Sequence, residues 1–295
     1  VVAADAAQQG TDYPPSCIGP NASRGGDFCR TRRFDVLVWG DSHAAAYFRG
    51  LEQRAASFGL VAQLQWSGGC PPVLDAVPVT VAERRNETMP IPPLLQTDCA
   101  NLNRDVIELV RELQIKAVVL AGAWDFWTEG VDIGTGEHRY LRSVHTEEDA
   151  ADTVEETRRV LRAGLERTIS ELDRLGIPVM LLGQVPDYLE SPSECVARAY
   201  LERLDPDSCG RPTAEVRARS TESGHLLSEV GEEYGARVID PLPTFCPGDR
   251  CLVEVDGAAL YRDSDHLAPE GSMFIGDKIG ARFFGGLRKP VAEQR

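Results

Sequence analysis

Five short apolar runs, separated by segments with helical periodicity, constrain the fold of this chain most. The runs lie at 34–39, 60–66, 116–123, 178–183 and 236–240, and Gly59, Gly176 and Gly235 mark helix ends between them. Strands that alternate with helices and read as continuous apolar runs are typical of a parallel sheet covered on both faces. The sequence therefore predicts an α/β fold, a three-layer α/β/α sandwich with a roughly five-stranded parallel sheet.

The remaining segments divide the chain into a lead-in and one large domain. Residues 1–33 are polar and rich in Gly, Pro and Arg, which is typical of an N-terminal extension or linker, and a single domain is expected at 34–295. Helices are predicted at 44–58, at 102–113, from a capping-box-like start at Thr146 to about 175, at 216–234 and at 268–284. A long Pro-rich loop is expected at 71–93.

Charge and hydropathy argue against binding to nucleic acid, binding to anionic membranes and membrane-spanning helices. The 31 basic and 46 acidic residues give a net charge of −15, which disfavours binding to nucleic acid and to anionic membranes. No apolar run approaches the ~18–20 residues of a membrane-spanning helix, and the first residues lack the pattern of a signal peptide. Since the chain begins with Val, we expect it to be a processed or excised part of a longer protein.

Eight cysteines, all in apparent loops, indicate disulfide bonds. Zinc is the competing interpretation, but C-x2-C spacing is absent and the histidines are not interleaved with the cysteines. Connectivity is not determined by sequence; the pairs that we expect are nearest neighbours, Cys17–Cys29, Cys70–Cys99, Cys195–Cys209 and Cys246–Cys251. Disulfides imply an oxidising compartment, either periplasmic or extracellular.

Two short motifs carry the candidate chemistry. Gly40-Asp41-Ser42-His43 follows the first strand, where a helix begins and its free N–H groups favour an oxyanion. Ser42 is therefore a candidate nucleophile, although Asp41 or Ser42 could simply cap the helix. Asp263 and His266, near the carboxyl end of the chain, have the spacing at which a carboxylate can orient an imidazole base.

Together, the Gly40–His43 and Asp263–His266 motifs resemble the SGNH (GDSL-like) hydrolases. Within that group, the sequence is more similar to the SGNH domains of bacterial acyltransferase-3 (OafA-like) membrane O-acyltransferases, and the resemblance covers about residues 34–284. It implies the flavodoxin-like SGNH hydrolase fold, with 34–295 as the catalytic domain. It also implies Ser42 as nucleophile, His266 as general base and acid, and Asp263 as the group that orients His266, without any metal.

The resemblance implies an oxyanion hole and substrate contacts less directly. The oxyanion donors would be the Ser42 N–H, Gly68 after the second strand, and Trp124, which stands where the family has Asn. A buried core position is the alternative for Trp124. Substrate contacts are assigned to Asp41, His43, Trp127 and Tyr261, with loop anchoring as the alternative for His43 and packing as the alternative for the two aromatic rings.

The function implied is acyl transfer outside the cytoplasm. An acyl group, expected to be acetyl, would pass through a Ser42 ester to a hydroxyl of a cell-envelope glycan or glycolipid. No cofactor is expected to be bound; the acyl group would come ultimately from acyl-CoA through a fused or partner acyltransferase-3 transmembrane domain, which would tether the chain at the periplasmic or outer face of the membrane. A secreted carbohydrate esterase (deacetylase) with the same triad and a non-catalytic glycan-binding module are the alternatives.

Overall fold

Five parallel strands form the centre of the protein in the computed structural model, which describes residues 13–19, 29, 33–84, 87–89, 93–145 and 153–287. The strands are β1 (Val36–Gly40), β2 (Ala62–Trp66), β5 (Ala117–Ala121), β7 (Val179–Leu182) and β8 (Arg237–Ile239). Their order is β2-β1-β5-β7-β8, and all four pairings are parallel. The order reverses between β1 and β5, and ligands of open α/β sheets bind at the carboxyl edge beside such a reversal.

Alternating side chains of the sheet enter two hydrophobic cores, one on each face. Val36 and Val38 of β1 belong to one core, and Leu37 and Trp39 belong to the other. The first core is covered by α1 (Ser42–Ser57) and α9 (Pro269–Phe284), and the second by α2 (Pro93–Leu113), α4 (Val154–Arg174) and α7 (Thr221–Tyr234). The predicted three-layer α/β/α sandwich is therefore confirmed.

Shorter elements complete the fold. They are α3 (Trp124–Glu129), α5 (Pro192–Glu202), α6 (Thr213–Arg219), α8 (Leu242–Phe245), the small hairpin of β9 (Glu254–Val255) and β10 (Ala258–Ala259), and 3-10 turns at Pro206–Cys209 and Gly285–Leu287. Among the residues described, no helix combines the length and the apolar character that crossing a bilayer requires.

The predicted Pro-rich loop at 71–93 is wrong for most of its length. It contains β3 (Ala76–Arg84) and β4 (Glu87–Met89), which form an antiparallel sheet with β6 (His138–Ser143). Pro78 favours a loop over a strand in the sequence, because proline has no N–H to donate to a neighbouring strand. In the structure, Pro78 lies opposite Leu141 of β6, whereas β4 pairs only with Ala82–Arg84. Among the described residues, the proline therefore occupies a part of β3 that has one neighbouring strand, which makes the missing donor tolerable.

Two helix boundaries also differ from the predictions. Helix α4 begins at Val154, where Thr153 Oγ1 accepts a hydrogen bond from the N–H of Glu156 at 3.1 Å. The capping residue is therefore Thr153, while the predicted start at Thr146 lies outside the described residues. The segment at 216–234 is two helices, α6 and α7, which meet at Ser220.

The described part of the lead-in packs on the second strand. Ser16 Oγ accepts a hydrogen bond from the N–H of Trp66 at 3.0 Å, and the Ile18 N–H donates to the Gln65 side chain at 3.0 Å. Four disulfides are present, and they join the nearest-neighbour pairs expected from the sequence: Cys17–Cys29, Cys70–Cys99, Cys195–Cys209 and Cys246–Cys251. Where the lead-in ends and the domain begins stays a prediction.

Candidate functional site

Helices α1 and α9 pack side by side and bring the two sequence motifs together. A Cβ on Gly276 of α9 would lie 2.5 Å from the backbone of Gly50 in α1, so this close approach requires glycine. The Gly50 N–H also donates to Ser272 Oγ at 2.9 Å. Ser42 starts α1 and His266 shortly precedes α9, so the two residues meet although 224 positions separate them.

The side chains of Ser42, His266 and Asp263 form a continuous hydrogen-bonded row. Ser42 Oγ lies 2.7 Å from His266 Nε2, and His266 Nδ1 lies 2.9 Å from Asp263 Oδ1. Asp263 Oδ1 also accepts the backbone N–H of His266 at 2.8 Å, which closes the D-x-x-H segment into a turn. With the ring proton on Nδ1, Nε2 accepts the Ser42 proton, the arrangement that an activated serine nucleophile requires.

A second carboxylate, which the sequence reading missed, also contacts His266. Asp265 Oδ1 lies 3.0 Å from His266 Nδ1, and Asp265 Oδ2 lies 3.3 Å from Nε2 of the buried His43. The contact between His43 and Asp265 depends on the fold, because these two residues are 222 positions apart. The only sequence signals were the acidic residue directly before His266 and the histidine directly after Ser42.

The charges of the two aspartates control the protonation of His266. Burial acts to lower the pKa of His266, but hydrogen bonds and charge from Asp263 and Asp265 outweigh it and raise the pKa to about 10. Burial acts in the opposite sense on the carboxyl groups, yet the imidazoles hold the pKa of Asp263 and of Asp265 below the usual aspartate value. The two carboxylates therefore favour the imidazolium form of His266, and the ring must be neutral before it can act as a base.

Asp41 joins the turn after β1 to the turn after β5. Its Oδ1 accepts the N–H of His43 at 2.9 Å, and its Oδ2 accepts the N–H of Ala123, also at 2.9 Å. Asp41 is 1% exposed and His43 is 2% exposed. The predicted substrate contacts through Asp41 and His43 are therefore corrected: Asp41 caps α1 and anchors the neighbouring turn, and His43 holds Asp265.

The predicted contacts of Trp127 and Tyr261 with substrate are also corrected. Both side chains are fully buried, so neither forms a rim on which a sugar could stack. The Trp127 ring packs against Phe126 at a centroid distance of 5.0 Å, and the Tyr261 ring packs edge-on against Tyr188 at the same distance. Packing, the alternative for both rings, is what the tertiary structure selected.

The oxyanion-hole candidates have different surroundings. Ser42 is the first residue of α1, so its N–H has no acceptor within the helix. Gly68 follows β2 in an exposed turn, beside Ser67, whose N–H donates to the Gly40 carbonyl at 3.2 Å. The Ser42 and Gly68 assignments stay predictions. The Trp124 assignment is corrected, because its buried indole N–H donates to the Leu182 carbonyl at 2.7 Å.

A buried polar cluster fixes the turn that carries Trp124. The Asp125 N–H donates to Gln184 Oε1 at 2.8 Å, and the Asp125 carboxylate accepts hydrogen bonds from the hydroxyl groups of Ser220 and Ser223. Burial raises the pKa of Asp125 to about 6 in spite of those hydrogen bonds. Through Asp125 and Ser223, this cluster connects α3 to α7. It was not predicted from the sequence.

One group of side chains in the described residues has the composition of a metal site. The ligand atoms of His43, Asp265 and His266 lie within 4.8 Å of one another. All three residues are engaged with each other in the row of contacts given above. The prediction that the site works without a metal stays a prediction.

Comparisons with solved structures find several matches at low sequence identity. The periplasmic domain of a Salmonella ser. Paratyphi A lipopolysaccharide acetyltransferase is 18% identical with a TM-score of 0.62, over 94% of this chain and 93% of that chain. The acetyl xylan esterase AlAXEase is 14% identical with a TM-score of 0.43, over 84% of this chain and 98% of that chain. TesA is 12% identical with a TM-score of 0.41, over 85% of this chain and 99% of that chain.

Sequence comparison gives the family. No curated protein sequence matches the chain significantly. The sequence model described as "SGNH domain (fused to AT3 domains)" matches residues 16–281, a range that includes the Ser42 and Asp263–His266 motifs. Since this match spans most of the chain, the protein belongs to the family of SGNH domains that are fused to AT3 domains.

Proposed function

We propose that this chain is the extracytoplasmic catalytic domain of an O-acyltransferase that passes an acyl group through Ser42 to a hydroxyl of a cell-envelope glycan or glycolipid. The observation that carries this proposal is the row from Ser42 through His266 to Asp263, with contacts of 2.7 and 2.9 Å. The family supports it, since its domains are fused to AT3 domains, and a similar fold occurs in a periplasmic acetyltransferase domain.

In the first half-reaction, Ser42 Oγ attacks the carbonyl carbon of the acyl donor while His266 Nε2 takes the hydroxyl proton. The oxyanion lies against the start of α1, where N–H groups and the helix dipole favour negative charge. Collapse of the tetrahedral intermediate breaks the bond to the leaving group, which takes the proton back from His266. The product is an acyl ester on Ser42.

In the second half-reaction, an acceptor hydroxyl gives its proton to His266 and attacks the acyl-Ser42 carbonyl. Ser42 leaves with that proton, and the acceptor keeps the acyl group. We propose acetyl as that group, supplied ultimately from acyl-CoA by an acyltransferase-3 transmembrane domain that also tethers the chain at the membrane. The four disulfides support a location in an oxidising compartment.

Intact mass spectrometry after incubation with p-nitrophenyl acetate tests the nucleophile. The assay is run at alkaline pH, because the pKa of His266 is raised to about 10 and the imidazole must be neutral to act as a base. Wild type should gain one acetyl group that maps to Ser42, and Ser42→Ala should gain none. Ser57→Ala is the matched control, since Ser57 ends the same helix at the opposite edge of the sheet, and it should label like wild type. Equal labelling of wild type and Ser42→Ala would refute the nucleophile.

Partition of the acyl group tests transfer against hydrolysis. Acetylated protein is mixed with an oligosaccharide acceptor, and acetylated sugar and free acetate are measured over time. Transfer to sugar in preference to water supports the proposal. Release of acetate alone, unaffected by the sugar, would favour the carbohydrate esterase, and glycan binding without any acyl chemistry would favour the binding module.

A further inference from the structure

Two carboxylates face a single nitrogen of the candidate base. His266 Nδ1 lies 2.9 Å from Asp263 Oδ1 and 3.0 Å from Asp265 Oδ1. A nucleophilic serine needs only one orienting carboxylate behind its histidine. Asp263 also accepts backbone N–H groups of its own turn, so its position is set locally. Asp265 requires another constraint to hold its negative charge against His266.

His43 provides that constraint. Its Nε2 lies 3.3 Å from Asp265 Oδ2, and its ring stands 4.9 Å from the His266 ring, tilted by 37°. The backbone N–H of His43 is bound to Asp41, and the side chain is almost fully buried, so the imidazole has little freedom to move. The residue that follows the nucleophile therefore reaches across the site to the residue that precedes the base.

We propose that Asp265 is a second positioning carboxylate for His266, held in place by His43. This proposal deepens the proposed function and rests on it, because it concerns the same base. Asp265 stabilises the imidazolium that exists while His266 carries the proton taken from Ser42 or from the acceptor. Neither residue touches the reacting atoms; both act through the ring of His266.

Other charged groups around Asp265 have partners of their own or lie further from the ring. On its own loop, Asp263 is contacted by Arg262 Nε at 3.2 Å. Across the adjoining small cleft, Asp187 is paired with Arg211 at 2.8 Å and with Arg219 at 2.5 Å. Three further groups lie near Asp263 and Asp265: Asp41 after β1, Asp132 in the cleft, and Tyr13 of the lead-in. The ring of Tyr13 lies 4.5 Å from the guanidinium of Arg262.

The proposal gives the site a specific pH behaviour. Removing the charge of Asp265 destabilises the imidazolium, so His266 should lose its proton at lower pH than in wild type. An opposite charge this close changes such a midpoint by about one to three pH units, and we expect one to two because Asp263 remains. The acid limb of the rate profile should move to lower pH by the same amount, while the alkaline plateau falls because the base is weaker.

NMR titration of His266 in the full chain measures this directly. Its ring signal is assigned by comparison with His266→Gln and followed with pH in wild type, Asp265→Asn and Asp265→Glu. The midpoint should fall by about one to two units in Asp265→Asn and stay nearer wild type in Asp265→Glu, which keeps the charge. Asp173→Asn is the charge-matched control, since Asp173 is exposed near the end of α4 at the opposite edge of the sheet, and it should titrate like wild type.

The role of His43 is tested by a double-mutant cycle. His43→Leu should lower the His266 midpoint, because Asp265 loses the contact that fixes it. Combining His43→Leu with Asp265→Asn should add little to the effect of Asp265→Asn alone, since both changes remove the same interaction. Fully additive shifts would overturn the link between the two residues.

A wild-type midpoint in Asp265→Asn, or an equal shift in Asp173→Asn, would overturn the positioning role itself. Both NMR readouts are independent of acyl transfer. If the midpoints move as expected but no variant is acetylated by p-nitrophenyl acetate, the proposed function fails and the contact between Asp265 and His266 still stands.

Discussion

Replacing Asp41 with Asn tests how firmly the turn after β1 is joined to the turn after β5. Asparagine caps a helix about as well as aspartate, so the hydrogen bond with the N–H of His43 should survive. The second oxygen is replaced by an NH2 group that faces the buried N–H of Ala123. Two donors then confront each other, and one charge-assisted hydrogen bond is lost.

The structure sets the size of the expected effect. A buried donor without an acceptor costs about 1–3 kcal/mol, and the bond lost here had a charged acceptor. We therefore expect Asp41→Asn to lower the free energy of unfolding by about 2–4 kcal/mol. Since the same turn carries Ser42, kcat for an activated ester should fall as well.

Urea denaturation under non-reducing conditions measures the loss, with Asp205→Asn as the matched control. Asp205 also accepts an N–H two residues further along, from Asp207 at 3.0 Å, but it is exposed. The control should change the free energy of unfolding by less than about 0.5 kcal/mol. Similar small changes in both variants would refute the reasoning, because the contact with Ala123 would then contribute nothing.

Three further predictions follow from contacts at the same edge of the sheet. Trp124→Phe should cost about 1–3 kcal/mol of stability, measured by urea denaturation, and leave kcat near wild type; a hundredfold loss of kcat would restore the indole as an oxyanion donor. Gly40→Ala should yield little soluble protein, because its Cβ would lie 1.7 Å from the Ala121 carbonyl, whereas Gly248→Ala, with no atom within 4 Å, should express normally. The free energy of unfolding should depend on the protonation of His266 above neutral pH, because the pKa of this residue is raised from 6.5 to about 10. The stabilisation by the imidazolium is complete below pH 6.5 and is lost as the pH rises through 10. Urea midpoints between pH 7 and 10 should fall more in wild type than in His266→Gln, and equal slopes would contradict this.

Sequence periodicity located the central strands well because each is buried on both faces and therefore reads as a continuous apolar run. The pattern failed at β3, where Pro78 suggested a loop. Whether a proline fits a strand depends on which side of that strand has a neighbour, and this is a property of the assembled sheet. The residue that caps α4 also differs from the prediction: it is Thr153, whereas the predicted residue, Thr146, lies outside the described residues.

The aromatic residues near the motifs show a second limit of sequence reading. Trp124, Trp127 and Tyr261 are close to functional segments in the chain, and aromatic rings are common both in sugar sites and in cores. All three are fully buried in the structure. Distance along the chain from a catalytic motif gives no information about which face of a turn a side chain occupies.

By itself, the sequence indicated the α/β class, the likeness to SGNH domains and the candidate residues Ser42, Asp263 and His266, and it led to the expectation of nearest-neighbour disulfide pairs. These are local properties: hydrophobic periodicity, turn residues and motif spacing. Only the tertiary structure shows that Asp41 connects the turns after β1 and β5 and that the Trp124 indole donates a hydrogen bond to the Leu182 carbonyl. It also shows that Asp265 contacts both His43 and His266. The contacts of Asp41 with Ala123, of Trp124 with Leu182 and of His43 with Asp265 join residues between 58 and 222 positions apart, and only the packing of helices on a common sheet brings such atoms within hydrogen-bond distance.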